Sequence, residues 1–518
     1  MAKAPRKPGQ PIWPRIPSGF VRAVLAGHSS LGLAFAALIY LVCFSGTVAV
    51  FAREFQRWER PEMAPIASVA PHAVERAASE AIARGVNVEH VFISAPSPDY
   101  PRLVVTLDDD GPNRSWLADA QGSLVGPGQT PWTDFLAALH INLHLPRSWG
   151  EFIVGLTGVA LLSSLISGVL AHPRIFKDAF HLRWGGSRRL QEADLHNRVG
   201  VWALPFHVVV STTGALLGLT TVIAGVLALA VFQGDVEKAY SLFLPPHPKD
   251  DPRPALAPPR IAYAAEQALS RSPGGRLSFI GLEHPTERGA GVIVNVAQTG
   301  RLAAVDTFAF DGAGRLTSAE RVDEAALGVK ILNSLGVLHF GWFGGGPIKV
   351  AYGLLGLALC ALTSSGVAIW LARRRDKGRP APRWERLWIA LVWGQPVALV
   401  GSAAVATLPG SAAVWDRLPL AAWLLLTILA GLASAVGSPR SLSRALRMSC
   451  GLLLLTTAAL WSFRHASHVG DPMAWTVTSV IALVGVALLA QLRAERTVSA
   501  ERAFTSEASP TENSRAGI

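Results

Sequence analysis

Eight apolar runs punctuate the chain, at residues 31–51, 152–171, 199–232, 350–372, 387–408, 418–436, 450–463 with a further turn before it, and 474–492. An α-helix rises about 1.5 Å per residue, so about 20 apolar residues cross the hydrocarbon layer of a bilayer. The pattern predicts an α-helical polytopic membrane protein with eight transmembrane helices. The third run exceeds what a bilayer needs, so that helix is expected to be tilted, broken or projecting.

Two long polar stretches change the periodicity. In the first, residues 73–84 carry apolar positions at helical spacing. Residues 88–94 and 102–107 then alternate as strands, before a turn at Asp119-Ala-Gln-Gly122. In the second, a helix at 260–271 precedes strands near 277–282, 291–296 and 304–310, then a turn at Asp311-Gly-Ala-Gly314. Helix followed by alternating strands predicts a small α+β module each time. The expected layout runs as follows: a cytoplasmic segment 1–24, span one 25–52, module one 53–150, span two 151–172 and a cytoplasmic loop 173–195. Span three 196–232, module two 233–346, span four 347–372 and a linker 373–386 follow. A four-helix membrane extension 387–495 and a disordered cytoplasmic tail 496–518 complete it.

Composition agrees. Half of the 518 residues are apolar and 16% are charged, which excludes an ordinary soluble enzyme. The net charge of +11 does not signal nucleic acid. Its basic residues cluster between runs: Lys3, Arg6, Lys7, Arg15 and Arg22; Arg174, Lys177, Arg183, Arg188 and Arg189; Arg373, Arg374, Arg375, Lys377 and Arg379; Arg440, Arg444 and Arg447. If every span crosses, these clusters share one side, which is then cytoplasmic along with both termini. Cys43, Cys360 and Cys450 lie in apolar runs without a Cys-x-x-Cys pair, so disulfide frameworks, iron–sulfur clusters and covalently attached haem lack their ligands. The first run lacks a small-residue cleavage site and reads as an uncleaved anchor.

The apolar runs also repeat. His28-Ser-Ser-Leu-Gly32 leads to Ser45-Gly46, and His196-Asn-Arg-Val-Gly200 leads to Thr213-Gly214 at the same offset. Gly155-Leu-Thr-Gly158 leads to Ser167-Gly168, and Gly353-Leu-Leu-Gly356 leads to Ser365-Gly366, again at equal offsets. A Leu-His pair precedes each of the latter, Leu143-His144 and Leu338-His339. This predicts a duplicated four-helix core, each half being span, external module, span. Parallel repeats imply a pseudo-two-fold axis along the membrane normal. Equivalent histidines near that axis can ligate one iron from both sides, as a non-covalent b-type haem requires. The expected pairs are His28 with His196 at the cytoplasmic edge and His144 with His339 at the external edge. A Gly four residues after His28 and His196 lies on the same helix face and leaves room for a flat ring. Small residues also serve plain helix packing in membranes, and histidines at a membrane edge can simply meet the headgroups.

Three further histidines compete. His140 lies one turn before His144 on the same face, and is the alternative outer ligand. His207 lies inside the third run, about 16 Å along the helix from His196. It could replace His196, hold a further haem or hydrogen-bond a propionate; its repeat counterpart is Ile39. His172 ends the second span, where it could ligate or cap the interface. Arg147 and Lys349 could pair with propionates or mark helix ends, and Trp149, Trp342 and Phe343 flank the outer position. His465, His468 and Asp471 share an external loop that needs no special role, and none is assigned to His72, His90, His181, His247 or His284.

Taken in order, the His-x-x-x-Gly span, the external α/β module, Leu139-His-Ile-Asn-Leu-His-Leu145, the Ser-Gly span and Asp194-Leu-His-Asn-Arg-Val-Gly200 resemble the PepSY-associated transmembrane family. The resemblance covers residue 22 to about residue 375. It implies PepSY-like modules in the periplasm and a bacterial inner-membrane ferric-siderophore reductase carrying haem b, with two haems per chain expected. The last four spans lie outside it.

No Gly-x-Gly-x-x-Gly opens a helix after a strand, and no Walker A sequence occurs, so no nicotinamide, flavin or ATP site is visible. Electrons would then come from a cytoplasmic partner or from quinol, and leave to a ferric siderophore or other ferric chelate. The alternative is a non-enzymatic, membrane-anchored binding or regulatory protein, which would not require histidines within the membrane.

Overall fold

The computed structural model describes residues 17–111, 113–172, 188–240, 251–408 and 417–507. The basic residues through Arg15, those from Arg174 to Arg183, His181 and His247 lie outside them. Among the described residues six helices are long and apolar enough to cross a membrane. They are α1 (Ser18–Ala49), α5 (Arg147–Ala171), α12 (Gly345–Asp376), α13 (Pro382–Ala406), α15 (Pro439–His465) and α16 (Pro472–Glu507). The expected eight are therefore not all single long helices. The third run divides into α6 (Arg188–Trp202), α7 (Leu204–Gly218) and α8 (Thr220–Val231), with α6 and α7 bent by 69°. Pro205 in the first turn of α7 has no N–H to offer the Val201 carbonyl, so one helix cannot run through. The sixth run forms α14 (Leu418–Ala433), 16 residues long. The chain remains helical to Glu507, past residue 496 where a disordered tail was expected.

The two polar stretches do not form separate modules. Their strands join in one antiparallel sheet of order β4-β3-β2-β1-β5-β6-β7-β8. The first four are β1 (His90–Ser94), β2 (Leu103–Asp108), β3 (Arg114–Ala118) and β4 (Leu124–Pro127). The second four are β5 (Arg276–Glu283), β6 (Gly291–Ala297), β7 (Val305–Asp311) and β8 (Leu316–Glu320). The halves meet where His90 of β1 pairs with Glu283 of β5, and Ser94 with Phe279. Alternation fixes the register: Val91 and Ile93, then Leu103, Val105 and Leu107, point to one face. There they pack under α3 (Pro71–Ile82) and α10 (Ile261–Arg271) with Ile280, Val294 and Phe308. Joining the halves buries two edges that would otherwise stay unpaired.

Short helices lead into and out of the membrane: α2 (Ala52–Glu59), α4 (Pro131–Asn142), α9 (Val236–Tyr240) and α11 (Leu327–Phe340). Both α4 and α11 end on a left-handed residue, Leu143 at φ 55° and Gly341 at φ 71°. The C-terminal helices α13 to α16 pack closely on α2 and α4. Trp132 Nε1 donates to Ser402 Oγ at 3.0 Å, Trp58 Nε1 to Thr478 Oγ1 at 3.1 Å, and Trp461 Nε1 to the Trp58 carbonyl at 2.9 Å. Buried indoles need such partners.

Candidate functional site

Two histidine pairs face each other inside the bundle of α1, α5, α6, α7 and α12. At the end where α1 starts, His28 Nδ1 lies 3.0 Å from the Ser164 carbonyl and 3.3 Å from Ser167 Oγ on α5. His196 on α6 places Nδ1 3.0 Å from Ser365 Oγ on α12. Anchoring Nδ1 orients each ring and leaves Nε2 for a ligand. The ring centres are 6.4 Å apart, with planes at 75°. A Cβ on Gly168 would sit 3.3 Å from His28 Cε1, and one on Gly366 3.4 Å from His196 Cε1. The repeated Ser-Gly pairs thus seat the imidazoles. Gly32 and Gly200 line the adjoining cavity of about 250 Å³.

The second pair is His140 on α4 with His339 on α11. Their ring centres are 6.0 Å apart and their planes 20° from parallel. His140 Nδ1 lies 3.0 Å from the Val42 carbonyl and 3.5 Å from Ser45 Oγ. His339 Nδ1 lies 3.0 Å from Thr213 Oγ1. Here the glycine fit is tighter: a Cβ on Gly46 would lie 2.5 Å from His140 Cε1, and one on Gly214 2.8 Å from His339 Cε1. A cavity of about 600 Å³ adjoins this pair, with Thr157, Gly158, Phe206, Tyr352 and Gly356 in its wall. His28 and Gly46 bracket 18 residues of α1, so the two pairs stand about 27 Å apart along the bundle.

This corrects the expected outer pair. His144 does not face His339. It lies beyond the end of α4, follows Leu143 in the left-handed region at φ 55°, and stacks on Phe135 at 5.0 Å. Its Nε2 is 2.9 Å from the Phe135 carbonyl. His140 is the counterpart of His339, because each occupies the last turn of its short helix. Leu139-His140 is as good a Leu-His pair as Leu143-His144, and only the helix end tells them apart.

The other candidates fall elsewhere. His207 is fully buried on α7, with the Leu355 backbone carbonyl as an imperfectly placed partner for its ring. It lines neither cavity. His172 is exposed at the end of α5, on the wall of the smaller cavity beside Trp370 and Arg373. Arg147 lines the larger cavity and bonds Glu151 at 2.8 Å. Lys349 is buried and engaged by Glu54 at 2.7 Å and Asp99 at 3.4 Å. Asp471 is held by arginines, so it forms no cluster with His465 and His468. A residue without a sequence signal, Glu59, sets α4 in place. Its carboxylate accepts from the Trp132 and Thr133 N–H groups at 2.9 and 2.8 Å and from Thr133 Oγ1 at 2.5 Å. Burial pushes this carboxyl up to about 7.

The pairs pass a simple metric test. Two metal–nitrogen bonds of about 2 Å, plus about 1 Å from each nitrogen to its ring centre, put two trans imidazoles about 6 Å apart. Both observed separations match, and both gaps open into apolar cavities.

Residues 25–373 match the family described as PepSY-associated TM region. An uncharacterized protein of Pseudomonas aeruginosa is 29% identical over 258 residues. That alignment covers 47% of this chain and 64% of the relative's length, just under two thirds of it.

Proposed function

The chain belongs to the PepSY-associated TM region family, and from that footing we propose that it is a two-haem electron-transfer enzyme of a bacterial inner membrane. It reduces a ferric siderophore or other ferric chelate in the periplasm and releases Fe(II) for uptake. His28 and His196 hold the inner b-type haem, and His140 and His339 the outer one. The observation that carries this reading is the pair of facing imidazoles at 6.4 and 6.0 Å, each backed by a glycine.

Haem iron supplies one-electron chemistry at a potential set by its surroundings. The chain's own residues do the rest. Ser164, Ser167 and Ser365 orient the inner rings, and Val42 and Thr213 the outer ones. Apolar side chains make up most of the wall of both gaps. The bent third run and the short α14 complete eight spans, with both termini cytoplasmic and the joined sheet periplasmic, as the basic clusters require. The core is a duplicated four-helix unit whose two-fold axis passes between the paired rings. Electrons enter from a cytoplasmic partner or quinol at the inner pair. A membrane-anchored binding protein would gain nothing from imidazoles paired in this way.

The test uses haem-loaded protein in liposomes with reductant trapped inside, and a ferric siderophore and a ferrous-specific chelator outside. Wild type should form the external Fe(II) complex, and His140→Ala and His196→Ala should lose that activity. No Fe(II) from haem-loaded wild type, or equal rates in the variants, would overturn the reading.

A further inference from the structure

We propose that Glu89, His90, Asp108 and His284 bind one divalent first-row transition-metal ion at the seam between the two halves of the sheet. This does not depend on the haem reading. The seam brings together residues from both polar stretches. His90 on β1 lies opposite Asp108 on β2 and opposite Glu283 on β5, all on the sheet face away from α3 and α10. The His284 N–H donates to the Glu89 carbonyl at 2.7 Å, which fixes the turn carrying the second imidazole.

Three of the four donor groups already converge, and His284 stands beside them. One ligand atom each from Glu89, His90 and Asp108 fall within 4.8 Å of one another. His90 Nδ1 is 3.2 Å from Asp108 Oδ2. The His90 and His284 ring centres are 5.8 Å apart, tilted at 45°. Two imidazoles on one tetrahedral ion stand about 5 Å apart by the same bond lengths used above, so binding would draw the two rings together by less than about 1 Å. Glu287 lies 3.9 Å from His284 Nδ1, close enough to become the ring's outer partner once the imidazole turns to the ion. Phe92 stacks under His90 at 5.7 Å and gives the site an apolar floor. Two imidazoles with carboxylates suit a borderline ion such as Zn²⁺ or Fe²⁺, and disfavour Mg²⁺ and Ca²⁺.

Equilibrium dialysis of the purified full-length protein against Zn²⁺, with Mg²⁺ in excess and metal read by mass spectrometry, tests this. Wild type should retain one Zn²⁺ that the His90→Ala and His284→Ala variants bind at least about tenfold more weakly. Asp108→Asn should weaken it as well. These side chains are partly exposed, so an unchanged melting temperature serves as the control that the variants fold. Retention of Zn²⁺ unchanged in both histidine variants, or no Zn²⁺ held by wild type in the presence of Mg²⁺, would overturn the proposal.

Discussion

Replacing Asp471 by Ala removes the anion that ties the sheet and α2 to the C-terminal helices. Asp471 is fully buried at the start of α16. Arg57 donates to it from Nε and Nη2, both at 2.8 Å, and Arg102 from Nη2 at 2.6 Å. Burial works against its ionised form, but the hydrogen bonds and charges of Arg57 and Arg102 hold the carboxyl below the usual range. Arg102 Nε and Nη1 have no other partner among the described residues, so the variant leaves buried guanidinium uncompensated. Breaking a buried pair from one side costs about 3–5 kcal/mol. Unfolding entropy grows with chain length, so at about 1 °C per kcal/mol for a chain of this size the melting temperature should fall by roughly 3–5 °C. Intrinsic fluorescence reports it, because Trp58 and Trp461 stack at 6.1 Å beside the cluster. Adding Arg57→Met and Arg102→Met to Asp471→Ala should restore much of the loss, since no unpaired charge then remains. The folded carboxyl is depressed, so its contribution is present above the unfolded value of about 4 and fades as pH falls through the folded value. Wild type and variant should converge in strong acid. A drop of only a degree or so at neutral pH, or a further loss in the triple variant, would refute the reasoning.

Three other outcomes follow from the geometry. Gly46→Ala and Gly214→Ala place a methyl 2.5 and 2.8 Å from the outer imidazoles and should cost outer haem, whereas Gly168→Ala and Gly366→Ala, at 3.3 and 3.4 Å, need the inner rings to give by only a few tenths of an ångström and should keep the inner haem; haem content per chain checks both. His207→Leu should leave both haems bound, because His207 lines neither cavity, and haem content per chain checks it. The Glu59 carboxyl is raised to about 7, so its proton is held more tightly when folded. Wild-type stability relative to Glu59→Leu should therefore decline as pH rises from about 4.5 and level off near 7, as melting curves across that range would show.

Much of this fold is legible in the sequence because membrane helices and strands announce themselves locally. Long apolar runs mark α1, α5, α12 and α16, and period-two alternation marks β1, β2, β6 and β7. The repeated Ser-Gly and Thr-Gly pairs identify the surfaces against which His28, His196 and His339 pack. What stayed hidden depends on contacts between distant segments. Nothing local says that β1 will pair with β5 and fuse the modules into one sheet, or that His90 and His284 will meet there. Choosing His140 over His144 needs the end of α4, where left-handed Leu143 turns the chain. The Arg57–Asp471–Arg102 cluster joins residues hundreds of positions apart, so the C-terminal helices read as an appendage although they brace α2 and α4. The break in the third run was open to several readings until Pro205 could be placed in the first turn of a helix.

The most direct test of the two-haem account is a pyridine haemochrome count with reduced-minus-oxidised spectra on wild type, His140→Ala and His144→Ala from haem-replete cells. The account predicts two b-type haems in wild type, loss of the outer one in His140→Ala, and both retained in His144→Ala. A wild-type protein without haem, or loss in His144→Ala with retention in His140→Ala, would contradict it.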